Sequence, residues 1–428
     1  MTTGTLATII LGIVFMQVAL ALSVAVYRRR GRAGVQGAAA VQAPEAGGLT
    51  GPVPGPVASV TPPAGAWEGY REFRVERRVY ENEDRSICSF HLVPEDAGAL
   101  PFFKPGQYLT FKLATQVVRG YGTGHLVRCY SLSDRPGEDR YRISVKRVPA
   151  PAGHPEAPPG AVSNYFHDRL QAGDRLMVKA PAGHFHLIED SALPVVLIGG
   201  GVGITPMLSM LNTLLRAGGT REVWLFYGVR DGKELIMGEH LRSLSRVHEN
   251  FHLHLCFSRP KEREVEGIDF QHRGRIDIPL LRNTLKLGRY QFYICGPAGM
   301  MENLVAGLES VGVEGGDIHY ESFGPSTPTR PRKTGTGDCE DRSGAPIVTF
   351  SKSGKQIAWD RDAGSILALA EASGIEVECG CRAGCCGSCE TRIERGEVDY
   401  SQIPEADIGA GHCLLCIASP RGDLVLSI

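Results

Sequence analysis

Residues Glu378 to Glu390 read ECGCRAGCCGSCE, which places five cysteines in eleven positions: Cys379, Cys381, Cys385, Cys386 and Cys389. A disulfide framework needs an even number, and a four-ligand metal site needs four. The chain holds 12 cysteines in 428 residues, and this one loop holds five of them. Such clustering in a long chain points to a metal centre in a reducing compartment. The length calls for several domains. A formal net charge of -1 argues against a nucleic-acid partner.

Within the loop, Cys381-x4-Cys386-x2-Cys389 has the plant-type [2Fe–2S] ligand spacing, which requires a fourth cysteine further on. Cys413 and Cys416, in GHCLLCIASP, are the candidates. Gly380, Gly384 and Gly387 free the backbone to wrap sulfurs around two irons. The segment resembles the plant-type ferredoxin family through CRAGCCGSC and LLCIASP. That resemblance picks Cys416 as the fourth ligand and leaves Cys379, Cys385 and Cys413 as non-ligands.

The rest divides by composition. Residues 33–66 and 325–345 are rich in Gly, Pro, Ala, Ser and Thr and read as linkers. Residues 67–190 carry alternating stretches such as YRISVKRV and read as a small antiparallel barrel. One helix is expected there, capped by Ser163 and closed by Gly173. Residues 191–324 alternate strand and helix, as a parallel α/β domain does. Its first helix is expected to be capped by Thr205 and to end at Gly218. Residues 346–428 start with strands and a helix near Ser365 to Ala372, then the cysteine loop. His184/His186 and His252/His254 alternate like strand residues and have no metal spacing.

The barrel part contributes RCYS at Arg128–Ser131, on a strand, and GAVSNYFHD at Gly160–Asp168, which opens a helix. The α/β part contributes GGGVGITP at Gly199–Pro206, CGPAGMM at Cys295–Met301 and YESFGP at Tyr320–Pro325. GGGVGITP is not a G-x-G-x-x-G fingerprint, yet its glycines let backbone approach a pyrophosphate at a helix start. Together these motifs resemble the ferredoxin–NADP reductase superfamily, the nearest likeness being the reductase half of flavohaemoglobins. The globin half is absent, so nitric oxide dioxygenation does not carry over.

The resemblance implies a flavin held by Arg128, Tyr130, Ser131, Gly160, Val162 and Ser163, with Ser131 near its N5 atom. It implies a nicotinamide nucleotide held by Gly201, Gly203, Thr205, Gly296 and Pro297, with Cys295, Glu321 and Phe323 around the reacting rings. FAD is expected, FMN being an alternative. The Ser258-Arg259 pair leaves NADH and NADPH both open.

The implied activity is that of an NAD(P)H-dependent oxidoreductase. Electrons would run from nicotinamide through the flavin and the [2Fe–2S] cluster to an acceptor such as an oxygenase, hydroxylase or desaturase. A respiratory quinone-linked subunit and a redox sensor are the alternatives. The former has its ferredoxin module before the flavin module, the reverse of the order here.

Residues 1–32 add a further expectation. Thr5 to Tyr27 is uncharged and long enough to span a bilayer, and RRRGR follows at Arg28–Arg32. The positive-inside rule then puts the catalytic parts in the cytoplasm, anchored once in the inner membrane. The fold class is thus multidomain α+β: a transmembrane helix, an antiparallel barrel, a parallel α/β domain and a β-grasp-like ferredoxin domain.

Overall fold

The structure, a computed structural model, describes residues 66–428 apart from 120–124, 138, 151–157, 217, 219, 324–344, 361, 362, 376, 378, 381, 383, 385, 402, 403, 405 and 407. The expected membrane anchor, most of both linkers, Cys381 and Cys385 lie outside the described residues. Among the described residues, no helix is long and apolar enough to cross a membrane.

Six antiparallel strands form the first sheet: β1 (Arg71–Tyr80), β2 (Ile87–Pro94), β3 (Tyr108–Ala114), β4 (His125–Ser131), β5 (Tyr141–Lys146) and β6 (Arg175–Val178). Their order is β4-β3-β6-β1-β2-β5, and a bridge between Leu132 and Ile143 joins the two ends. This closure removes the open edges that an isolated sheet would expose. A short helix α1 (Thr115–Arg119), not expected from the sequence, follows β3. Helix α2 (Ala161–Asp168) drives Phe166 into the barrel. There Phe166 meets Phe90 and Phe111 edge-on, at 5.2 and 5.6 Å between ring centres. Such apolar anchoring fixes a helix far more firmly than its short length could.

The second sheet is wholly parallel. Its strands are β7 (Val195–Gly200), β8 (Val223–Val229), β9 (Phe251–Phe257), β10 (His272–Arg273), β11 (Gln291–Cys295) and β12 (Ile318–Glu321). The order β10-β9-β8-β7-β11-β12 reverses direction between β7 and β11. Helices α3 (Ile204–Arg216), α4 (Gly238–Val247), α5 (Ile278–Thr284) and α6 (Ala298–Ser310) connect the strands. Ligands of such sheets bind beyond the strand C-termini at the reversal, and both glycine motifs lie there. His252 and His254 sit on β9 as expected, whereas His184 and His186 lie in a loop, not a strand.

The third sheet is mixed: β13 (Ile347–Phe350), β14 (Lys355–Ala358), β15 (Glu390–Arg395), β17 (His412–Leu414) and β19 (Leu424–Leu426), in the order β14-β13-β19-β15-β17. Only the central β13–β19 pair is parallel. A small ladder joins β16 (Val398–Tyr400) to β18 (Ala418–Pro420). Helix α7 (Ile366–Ala372) buries Ile366, Leu367, Leu369 and Ala370 in this domain's core. Its N-cap is Ser365, whose hydroxyl accepts from Ala368 N at 3.2 Å.

Candidate functional site

The barrel presents its polar motif at the end of β4. Ser131 Oγ is buried and has no hydrogen-bond partner among the described residues. A buried hydroxyl left unpaired is costly, so this atom fits a polar edge of a bound flavin. Tyr130 packs on Phe111 and Phe166 at 5.8 and 5.2 Å. Arg128 Nη1 donates to Val127 O at 2.7 Å and to Gly380 O at 2.6 Å.

The start of α2 departs from expectation. Gly160, not Ser163, is the N-cap, and the helix ends at Asp168, before Gly173. A Cβ on Gly160 would stand 2.7 Å from Ser163 Oγ and 2.9 Å from Val148 Cβ. Glycine therefore takes the cap, and Ser163 instead donates back to Gly160 O at 3.1 Å. The first intrahelical bond is Asn164 N to Gly160 O, so the amides of residues 161–163 face the open end. Val162 keeps its side chain in the barrel core. Amides at a helix start are suited to a phosphate.

At the reversal point of the parallel sheet, Gly201–Gly203 form a 3₁₀ turn with Gly201 at φ +55°, and α3 begins at Ile204. Thr205 is therefore inside the first turn rather than the cap. Its Oγ1 donates to Val202 O at 3.0 Å. The turn packs backbone to backbone on CGPAG. A Cβ on Gly203 would overlap the Cys295 carbonyl, one on Gly296 would lie 3.1 Å from Gly200 Cα, and one on Gly200 would lie 2.8 Å from Pro297 Cδ. Pro297 in turn is the N-cap of α6.

Cys295 is fully buried and pairs in register with Glu321. Burial pushes its thiol well above the ordinary value, and the Glu321 charge adds to this. Phe323 lies two residues past β12 and is 45% exposed, so it is not a core aromatic.

A polar clamp joins the barrel to the nucleotide helix. Three residues past Ser131, Asp134 accepts Ser209 Oγ on its carbonyl at 2.8 Å and Asn212 Nδ2 on its carboxylate at 2.9 Å. Arg142 Nη1 lies 3.5 Å from the same carboxylate. The strand carrying Ser131 is thus fixed to the helix that follows the glycine turn. Further out, a cleft of about 390 Å³ is lined by Arg230, Ser258, Arg259, Gly274 and Arg275. These residues follow the C-terminal ends of β8, β9 and β10. Arg230 is paired with Glu234, whereas Arg259 and Arg275 have no carboxylate partner among the described residues.

In the third domain, Gly384 and Gly387 have φ of +73° and +74°, a backbone that L side chains resist. Arg382, also left-handed at +57°, is tied to Glu371 of α7 at 2.8 Å. Cys386, Cys389 and Cys416 are buried. Leu415 N donates to Cys389 O at 3.3 Å, which holds the Cys416 segment beside Cys389. Ser388 Oγ is 3.4 Å from Cys386 Sγ. Cys413 lies on β17 opposite Thr391, in the core. Cys379 lies 3.6 Å from both Glu371 and Arg382.

Among the described residues, no group of three or more His, Cys, Asp or Glu could hold a metal ion. Two irons share four thiolates between them, so no three need crowd one ion. The donor chemistry and the left-handed loop fit that cluster.

Family models match three stretches: an oxidoreductase FAD-binding domain over 72–187, an oxidoreductase NAD-binding domain over 197–305 and a 2Fe-2S iron-sulfur cluster binding domain over 348–421. The solved flavohem-like FAD/NAD binding domain of nitric oxide dioxygenase from Vibrio cholerae is 33% identical. The match covers 60% of this chain and 100% of that one, with a TM-score of 0.52. The chain belongs to the ferredoxin–NADP reductase superfamily. It is an oxidoreductase with FAD-, NAD- and [2Fe–2S]-binding domains.

A flavohemoprotein of Bacillus cereus is 42% identical to this chain over 262 residues, 61% of this chain and 63% of that protein. The chain thus spans less than two thirds of that curated relative's length. Phthalate dioxygenase reductase, described as a modular structure for electron transfer from pyridine nucleotides to [2Fe-2S], is 26% identical. That match covers 86% of this chain and 100% of that one, with a TM-score of 0.51.

Sequence reasoning missed the Asp134 clamp and the place of Arg230 and Arg275 in the cleft lining. A usable signal existed for the arginines, since each follows the end of a strand in a parallel sheet, where ligands gather.

Proposed function

We propose that the protein is a membrane-tethered, NADPH-preferring flavin/iron–sulfur reductase that supplies single electrons to an oxygenase-type enzyme. The observation that carries this reading is the seating of the cluster loop on the flavin strand, through Gly380 on Val127 and Arg128, in a chain that also has an NAD-binding domain. A flavin held by Arg128, Tyr130 and Ser131 would supply the exchange between two-electron hydride chemistry and one-electron transfer, and a cluster held by Cys381, Cys386, Cys389 and Cys416 would supply the one-electron outlet.

The chain's own residues position rather than react. The Gly201–Gly203 turn and the start of α3 would receive the pyrophosphate. Gly203 and Gly296, lacking side chains, let the dinucleotide lie close to the sheet. Ser131 offers its unpaired hydroxyl to the flavin, and the Asp134 clamp holds that hydroxyl in register with the nucleotide helix. Arg259, Arg275 and Ser258 suit a phosphate on the adenosine ribose, because fork-shaped guanidinium groups pair two oxygens at once. Phe323, half-exposed past β12, is placed to cover the flavin and yield to nicotinamide.

Anaerobic rapid mixing with NADPH should bleach the flavin first and the cluster's visible bands second, and an added one-electron acceptor should recolour both. Flavin reduction that never reaches the cluster would defeat the reading.

The tether rests on the uncharged run Thr5–Tyr27 and the arginines behind it. The phthalate dioxygenase reductase likeness supports an oxygenase-type acceptor. Deleting residues 1–32 should move the protein from the membrane pellet to the supernatant; a full-length chain that stays in the supernatant would dismiss the anchor.

A further inference from the structure

We propose that Arg128 is a positioning residue for the flavin-to-cluster step, a latch whose guanidinium binds the flavin phosphate and the cluster loop at once. The inference rests on the electron path of the preceding section. Arg128 Nη1 reaches Gly380 O at 2.6 Å across 252 positions of sequence. Gly380 immediately precedes Cys381, the first cysteine of the ligand register. Nη1 also holds Val127 O at 2.7 Å, so the two carbonyls share one nitrogen. Nε and Nη2 are left for phosphate oxygens, in the planar fork that Arg alone offers.

The surroundings are built for contact. Val127 is 7% exposed yet belongs to none of the hydrophobic cores. A Cβ on Gly380 would lie 2.8 Å from Val127 Cβ and 2.7 Å from Cys386 Sγ. Glycine at 380 therefore lets the loop lie against β4 without displacing a cluster sulfur. On its other side the loop is held within its own domain by the Arg382–Glu371 pair. A small cleft of about 140 Å³ lined by Tyr70, Lys112, His125, Val127, Cys379 and Ser388 marks the same seam. A phosphate-only Arg128 has no need of the Gly380 bond. A latch makes flavin binding and docking of the ferredoxin domain mutually reinforcing.

The test uses the full holoprotein. Arg128→Lys keeps the charge but loses the fork, and is loaded with excess FAD. Val127→Glu alters the barrel side of the seam without touching a flavin-binding group. Val127→Glu should slow cluster reduction at least tenfold after a normal flavin reduction, and FAD-loaded Arg128→Lys should slow cluster reduction at least tenfold relative to its own flavin reduction, whatever that rate is. Both should also increase the maximum dimension seen by small-angle scattering. FAD-loaded Arg128→Lys that transfers at the parent rate with an unchanged scattering envelope overturns the latch, whatever Val127→Glu does. If the parent protein reduces its flavin but not its cluster, the electron path itself fails. Scattering alone then judges the latch, and an unchanged envelope in both variants overturns it.

Discussion

Cys386→Ser should abolish the cluster's visible absorption and leave flavin reduction by nicotinamide intact. Cys386 is buried beneath Gly380, with Ser388 Oγ against its sulfur. Serine offers a hard alkoxide where iron and sulfide require thiolate. The flavin-side groups, from Arg128 to Ser131 and around Gly160, belong to a separately cored barrel, so the first half-reaction survives. Cys385→Ser should change neither signal, because its spacing falls outside the ligand register. Cys413→Ser separates the two candidates for the fourth ligand. Both belong to the domain's core, but Cys413 lies on β17 opposite Thr391, whereas Cys416 follows the strand's end in a segment held to Cys389. A bleached Cys385 variant, or a Cys416→Ala protein of full colour, would refute the register. Iron analysis beside the spectrum checks it.

The second large effect concerns the nucleotide. Replacing Arg259 and Arg275 together by Ala should raise KM for NADPH by at least about 100-fold, since each charge-assisted contact contributes about 1.5–3 kcal/mol and about 1.36 kcal/mol is tenfold. KM for NADH should stay within about threefold, because the adenosine hydroxyl makes no such contact. The two guanidinium groups flank a cleft and have no carboxylate partner among the described residues, while Arg230 is engaged by Glu234. Steady-state kinetics with both cosubstrates decides the matter. Equal rises for NADH and NADPH would mean that the arginines serve the fold or the pyrophosphate, and the preference for NADPH would fall.

Local chemistry was the legible part of the sequence. The helix expected near Ser365 to Ala372 is α7, and the two glycine motifs of the parallel domain lie at its sheet reversal. Ser163 and Thr205 were misassigned for one shared reason. Both stand just after glycines, and glycine occupied the turn that a capping rule gives to hydroxyl residues. The displaced hydroxyls bond backwards to Gly160 O and Val202 O, a competition that composition alone does not resolve. The short helix α1 escaped notice because its TQVVR holds two β-branched valines, which favour strand. The contacts between domains were invisible for a different reason. Arg128 and Gly380, or Asp134 and Asn212, meet only after each domain has folded, and no periodicity encodes a meeting between separate cores. Arg128 had a role assigned from one motif, so nothing called for a second partner.

The backbone contact of Gly203 and Gly296 with their neighbours has a wider bearing. The strands behind those turns are far apart in the chain, yet Gly203 lies directly against the Cys295–Gly296 backbone. A shift of the Gly201–Gly203 turn is therefore passed directly to the Cys295–Gly296 backbone, so the two turns move as one stiff joint.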